Sequence, residues 1–255
     1  RAGASVERGE GREARRDPHM FSKVGDSMTA SVNFLTAFGD GEGAYDLGDY
    51  PELEPTVAFF NASTDADGHN AFNRENFANS LGFSTASALD STWAVQGACE
   101  PNENPLACEY RASNSAFALI MFGTNDVMVF DAMLFDFFLR QGIVETMAAD
   151  VVPVLYTMPI RPEAPDQSRV FNQIILKIAR DYDLPVINLA AALEALPNYG
   201  VDLEDTLHLT EPEPPGTVAT FTEESLGAGY TVRNLVTLQA LSALLTELDL
   251  LPSEN

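Results

Sequence analysis

Three short segments of the chain carry side chains that can do chemistry together. Ser27 stands in Val24-Gly25-Asp26-Ser27-Met28-Thr29, Asn125 in Phe122-Gly123-Thr124-Asn125-Asp126, and Asp205 with His208 in Asp205-Thr206-Leu207-His208. A serine hydroxyl is a poor nucleophile at neutral pH and needs a base beside it. Neutral imidazole is that base, because it takes up a proton near neutrality. A carboxylate three residues before a histidine reaches the ring through a loop or a single turn. There it holds one ring nitrogen, fixes the tautomer and stabilises the imidazolium. Taken singly, Gly-Asp-Ser and Gly-x-Asn-Asp are ordinary turn sequences; their order along the chain raises the signal. The other two histidines, His19 before the first expected strand and His69 in a Gly/Asn turn, read as solvent-facing. Asp202 and Glu204 lie near His208 but lack the matching spacing. Asp26 and Asp126 read as loop hydrogen-bond acceptors, not as proton carriers.

The elements that must position these groups follow an α/β pattern. Residues 19–24 read as a short extended segment, and apolar runs at 116–122, 151–158 and 184–189 predict buried strands, with Pro153 early in its strand or at an irregularity. Helices are expected over residues 28–37, 131–150 (capped by Asp131), 166–182 and 230–248, and residues 70–80 are a further helical candidate. Residues 38–70 read as irregular. Strand and helix alternate, which argues for a parallel sheet covered on both faces, with ligands bound where the strands end.

At these residues the sequence resembles the SGNH (GDSL-type) hydrolase superfamily of esterases and lipases. FSKVGDSMT is similar to the first motif block of that family, LIMFGTNDV to the third and DTLH to the fifth. The second block is best matched by Gly82 in Asn79-Ser80-Leu81-Gly82-Phe83-Ser84. The resemblance spans roughly residues 19–248 and implies a three-layer α/β/α sandwich with a flavodoxin-like, mostly parallel central sheet. It implies Ser27 as nucleophile, His208 as base and Asp205 as its partner. The backbone N–H groups of Ser27 and Gly82 and the side-chain amide of Asn125 would then form the oxyanion hole. Each such donor contributes about 3 kcal/mol to a transition state. Two stretches depart from the family pattern: residues 38–70, and residues 209–229 between His208 and the last helix. Both are expected near the active-site end of the sheet, as pocket walls or a lid.

Charge and cysteine content bound the rest. The 255 residues carry 14 basic and 38 acidic side chains, a net charge of −24. Five arginines and three glutamates fall within residues 1–16, so the remaining 239 residues carry −26. A body this acidic repels nucleic acid and anionic membrane surfaces, and no run approaches the 18 or so apolar residues of a membrane span. Residues 1–18 read as a flexible, solvated arm and 19–255 as one domain. Cys99 and Cys108 enclose two prolines and two asparagines, and a disulfide between them is expected, pointing to an oxidising, extracytoplasmic compartment. No metal or other cofactor is expected; Asp65-Ala66-Asp67-Gly68 lacks the further acidic ligands of a calcium loop. Trp93, the only tryptophan, suits a buried role or a substrate stack. The leading expectation is a secreted serine esterase acting on O-acyl groups, such as acetyl, of a small-molecule or glycan ester. The alternatives are a lipase, lysophospholipase or thioesterase using the aromatics of residues 38–70, and a catalytically silent glycan-binding module on the same fold.

Overall fold

Alternation along the strands decides the layering. Phe117, Leu119 and Met121 face one core, and Ala118, Ile120 and Phe122 face the other. A strand buried on both sides must have helices on both sides. The computed structural model describes residues 16–251. Four parallel strands, β1 (Asp17–Gly25), β2 (Ser115–Met121), β3 (Val152–Tyr156) and β4 (Val186–Ile187), lie in the order β1-β2-β3-β4. One face packs on α2 (Glu54–Phe60), α6 (Leu189–Ala192) and α7 (Gly229–Glu247). The other packs on α3 (Pro105–Ser113), α4 (Ala132–Ala148) and α5 (Pro165–Tyr182), where Phe135 stacks on Phe171 at 3.9 Å between ring centres. The short α1 (Ser27–Ala30) follows β1 directly. The result is the three-layer α/β/α sandwich.

The free edge of β1 is closed by side chains. Asn76 Oδ1 accepts from Lys23 N at 2.8 Å, and Asn79 Nδ2 donates to Lys23 O at 2.9 Å. Gly25 makes a single parallel bridge with Asn79. With that bridge counted as a vestigial strand, the order becomes flavodoxin-like, with a crossover beside β1. Residues 70–80 are therefore not helical: their amides satisfy the strand edge instead of an i→i−4 ladder.

Other boundaries shift for similar reasons. The helix expected over residues 28–37 stops at Ala30, because Asn234 of α7 captures the chain beyond it. Asn234 Oδ1 accepts from Leu35 N at 3.0 Å and its Nδ2 donates to Asn33 O at 2.9 Å. Residues 38–70 are not wholly irregular, since α2 lies within them. Pro105 opens α3 with Asn104 as its cap, accepting from Ala107 N at 2.8 Å. Asp131 caps α4 as expected. Residues 1–15 of the expected arm lie outside the described residues. Its last residues are held: Arg16 donates to Ala149 O and Tyr110 O, and Asp17 opens β1. Cys99 and Cys108 form the disulfide, with 5.2 Å between their Cα atoms. Among the described residues no helix is long and apolar enough to cross a membrane.

The two unusual stretches pack on each other and on the core. Asp46 N donates to Ala219 O at 3.0 Å, and Phe221 N donates to Asp46 O at 2.8 Å. The buried Phe221 ring lies 5.8 Å from that of Phe38 and 6.0 Å from that of Tyr50. This part of residues 209–229 is packed into the core. Replacing Phe221 by Ala is expected to lower unfolding free energy by roughly 3–5 kcal/mol in urea denaturation, the cost of emptying a core aromatic site. A loss below about 1 kcal/mol would show that the stretch lifts away without disturbing the core.

Candidate active site

β1 and β2 deliver their loops to the same place. Their register ends with Gly25 opposite Met121, so Asp26-Ser27 and residues 122–125 leave the sheet side by side. Gly25 is needed there because a Cβ would overlap Met121 O and the Thr29 side chain. Asp26 caps α1, accepting from Met28 N at 3.0 Å, and sets Ser27 half-buried at the strand-to-helix turn. Beneath the turn lies Arg233 of α7, fully buried, donating to Met28 O at 2.7 Å and Thr29 Oγ1 at 3.0 Å. Its guanidinium sits 3.6 Å from the centre of the Phe34 ring.

The loop before α7 brings the other two groups. Val201 and Leu209 bridge at its base, and Asp202 Oδ1 accepts from Glu204 N at 2.7 Å and Asp205 N at 3.1 Å. His208 Nε2 lies 2.9 Å from Ser27 Oγ, and His208 Nδ1 lies 2.6 Å from Asp205 Oδ2. The chain Ser27–His208–Asp205 thus joins residues 181 apart in sequence. With Nδ1 protonated and bonded to the carboxylate, Nε2 is left to accept the serine proton.

Gly82 and Asn125 stand on neighbouring loops. Asn125 Nδ2 donates to Phe83 O at 2.8 Å, and its second amide hydrogen has no partner among the described residues. On the other side, Ser80 N donates to Gly25 O at 3.4 Å. These bonds tie residues 80–83 between the Ser27 turn and the Asn125 loop; no direct hydrogen bond joins Gly82 or Asn125 to Ser27. The φ of Gly82 is +77°, a left-handed conformation, and a Cβ there would meet nothing within 4 Å. Asp126 is a structural acceptor, bonded by Thr85 N at 2.8 Å and Gly123 N at 3.1 Å. His19 stacks on Phe59 and His69 lies beside Asp65, both outside the triad of side chains. Trp93 is 48 % exposed and meets Phe83 edge-on.

Ser27 and His208 open onto a cavity of about 510 Å³. Asp202, Asp205, Glu211 and Glu213 put four carboxylates on its wall, Leu81 and Tyr230 supply apolar surface, and among the described residues His208 is the only lining residue able to carry positive charge. Asn33 Nδ2 donates to Glu211 Oε1 at 2.7 Å and fixes that carboxylate. The aromatics Tyr45, Tyr50, Phe59 and Phe60 pack with the core and do not line this cavity. Sequence reasoning missed Arg233; a lone arginine in an apolar final helix was the available signal.

Three-dimensional comparison finds this fold in solved hydrolases. A lipase/acylhydrolase from Enterococcus faecalis aligns with a TM-score of 0.54 at 19% identity, covering 88% of this chain and 96% of that one. A psychrotrophic esterase from a Pseudoalteromonas species gives 0.52 at 13% identity, over 89% and 99% of the two chains. An acetylxylan esterase from Geobacillus stearothermophilus gives 0.51 at 16% identity, over 89% and 96%. What is shared at such identities is the fold. No family model matches the sequence, and no curated protein matches it.

Burial pushes the Asp26 carboxyl up from 3.8 to about 6, against the pull of the nearby Arg233 charge. One of its oxygens has no hydrogen-bond partner among the described residues. A carboxyl that holds its proton more tightly when folded stabilises the fold fully below its unfolded pKa, and that contribution is lost as pH rises through the folded value. Wild type should therefore lose roughly 2–2.5 kcal/mol relative to Asp26→Asn between pH 4 and pH 8. Asparagine keeps the cap and has no charge to bury. Urea denaturation of both proteins at the two pH values checks this; a difference that does not change with pH would refute it.

Proposed function

We propose that this chain is a serine hydrolase that cleaves carboxylic esters through an acyl-enzyme on Ser27. The observation that carries the reading is the hydrogen-bonded line from Ser27 Oγ through the His208 ring to Asp205, open to a cavity. His208 Nε2 takes the hydroxyl proton as Ser27 Oγ bonds to the acyl carbon. Asp205 holds the imidazolium that forms. The oxyanion is received by Ser27 N–H, at the unpaired start of α1, with Gly82 N–H and the second Asn125 amide hydrogen as the further donors. His208 then returns its proton to the departing alcohol. Water, deprotonated by the same nitrogen, attacks the acyl carbon and frees Ser27.

The substrate we infer is a short O-acyl group, such as acetyl, on a neutral polyhydroxyl alcohol of the carbohydrate kind. Four carboxylates around the cavity disfavour anionic carriers and phospholipid headgroups, and suit hydroxyl donors. The aromatics that a long acyl chain would need are committed to the core. The Cys99–Cys108 bond supports an oxidising working compartment, and so secretion.

A panel of p-nitrophenyl esters of increasing chain length, run beside acetylated glycans, tests the reading. We expect the highest kcat/KM with acetyl, falling as the chain lengthens, and a Ser27→Ala protein that is folded but at least about 10³-fold slower, as expected when a triad nucleophile is removed. Preference for dodecanoyl over acetyl would overturn the substrate class. Undiminished hydrolysis by Ser27→Ala would overturn the mechanism.

A further inference from the structure

The loop that carries Asp205 and His208 is open to solvent: the Asp205 side chain is 56% exposed. The bonds from Asp202 shape the turn but do not fix it to the sheet. Midway between the two residues, the Thr206 hydroxyl donates to Glu163 Oε1, on the loop between β3 and α5. The other Glu163 oxygen accepts from Arg161 Nε at 3.1 Å. Arg161 Nη1 in turn donates to Thr124 O at 2.7 Å, the carbonyl directly before Asn125. The bond from Thr206, with the Arg161 charge beside it, holds the Glu163 carboxyl below its ordinary range.

We infer that Glu163 and Arg161 are positioning residues for hydrolysis. The line from Thr124 carbonyl through guanidinium and carboxylate to Thr206 hydroxyl sets the distance between the Asn125 loop and the Asp205–His208 loop. In the reaction these loops hold the oxyanion donor and the proton acceptor, so their separation must match the transition state. The inference rests on the serine-hydrolase reading above. Magnitudes distinguish it from an ordinary surface ion pair. The Glu163 side chain is 40% exposed, and such a pair adds little to folding stability. A misplacement of about 1 Å at reacting groups, by contrast, costs up to about 10²-fold in rate. Loss of the line should therefore appear in kcat and leave the melting temperature nearly unchanged.

The test compares Glu163→Ala, Thr206→Val, their double variant and Thr206→Ser on p-nitrophenyl acetate. Ser27→Ala runs alongside to verify that the measured rate belongs to Ser27. Each single loss should lower kcat by about tenfold with KM changed less than about twofold, since the line acts on geometry and not on substrate binding. The double variant should be no slower than the slower single, because both cut the same line. Thr206→Ser keeps the hydroxyl and should stay within about twofold of wild type. Wild-type kcat in both single variants, losses that multiply in the double, or a Thr206→Ser as slow as Thr206→Val would each overturn the positioning role. Any of these results against a silent Ser27→Ala leaves the serine-hydrolase reading standing and rejects this inference alone.

Discussion

The parallel pairing of β1 with β2 is the constraint on which the site depends. It runs from Phe21 opposite Phe117 to Gly25 opposite Met121 and stops where both strands must release a loop. A one-residue slip would turn the apolar set of each strand to the wrong core. It would also separate Asp26-Ser27 from the Gly123–Asn125 loop. Gly25 makes the close approach possible, and Asn76 and Asn79 finish the far edge without a full strand. The last helix completes the frame from the other end of the sequence. Arg233 takes up a carbonyl and a hydroxyl of α1, and Asn234 fixes the chain that follows it.

This arrangement places buried charge directly under the half-buried Ser27 and His208. Arg233 and Asp26 are both fully buried and feel each other electrostatically, yet no ion pair joins them among the described residues. Burial without a direct partner costs several kcal/mol, and the surrounding carbonyl, hydroxyl and aromatic faces offset it. Above them the cavity wall is strongly acidic, in keeping with a chain of net charge −24. The serine turn is therefore held from beneath by buried hydrogen bonds, while the histidine loop is tied at its base by the bridge between the buried Val201 and Leu209 and at its tip by the bond from His208 to Ser27.

Much of this was legible in the sequence because the signals were local. Asp131 capped its helix as its residue type requires, and the apolar runs at residues 116–122 and 151–158 became β2 and β3. The Ser27, His208 and Asp205 side chains meet because the turn after β1 carries Ser27 and the loop before α7 carries Asp205 and His208 to the same place. What was not legible depended on distant partners. Ala30 ends α1 because Asn234, some 200 residues away, bonds Leu35. Residues 70–80 carry helix-compatible side chains, yet two asparagines are drawn to the β1 edge. The Asn104-Pro105 start of α3 was a readable cap, hidden by the turn character of its own residues. The mutual packing of residues 38–70 and 209–229 had no local sign at all.

The central claim is that Ser27 is the nucleophile, activated by His208. The most direct measurement is inactivation by a serine-directed organophosphonate followed by peptide mass spectrometry. The account predicts one adduct per chain, on the peptide carrying Ser27, with hydrolysis lost in proportion to labelling and no adduct on a His208→Ala protein over the same interval. An adduct on another serine, or hydrolysis that continues in protein fully labelled at Ser27, would contradict it.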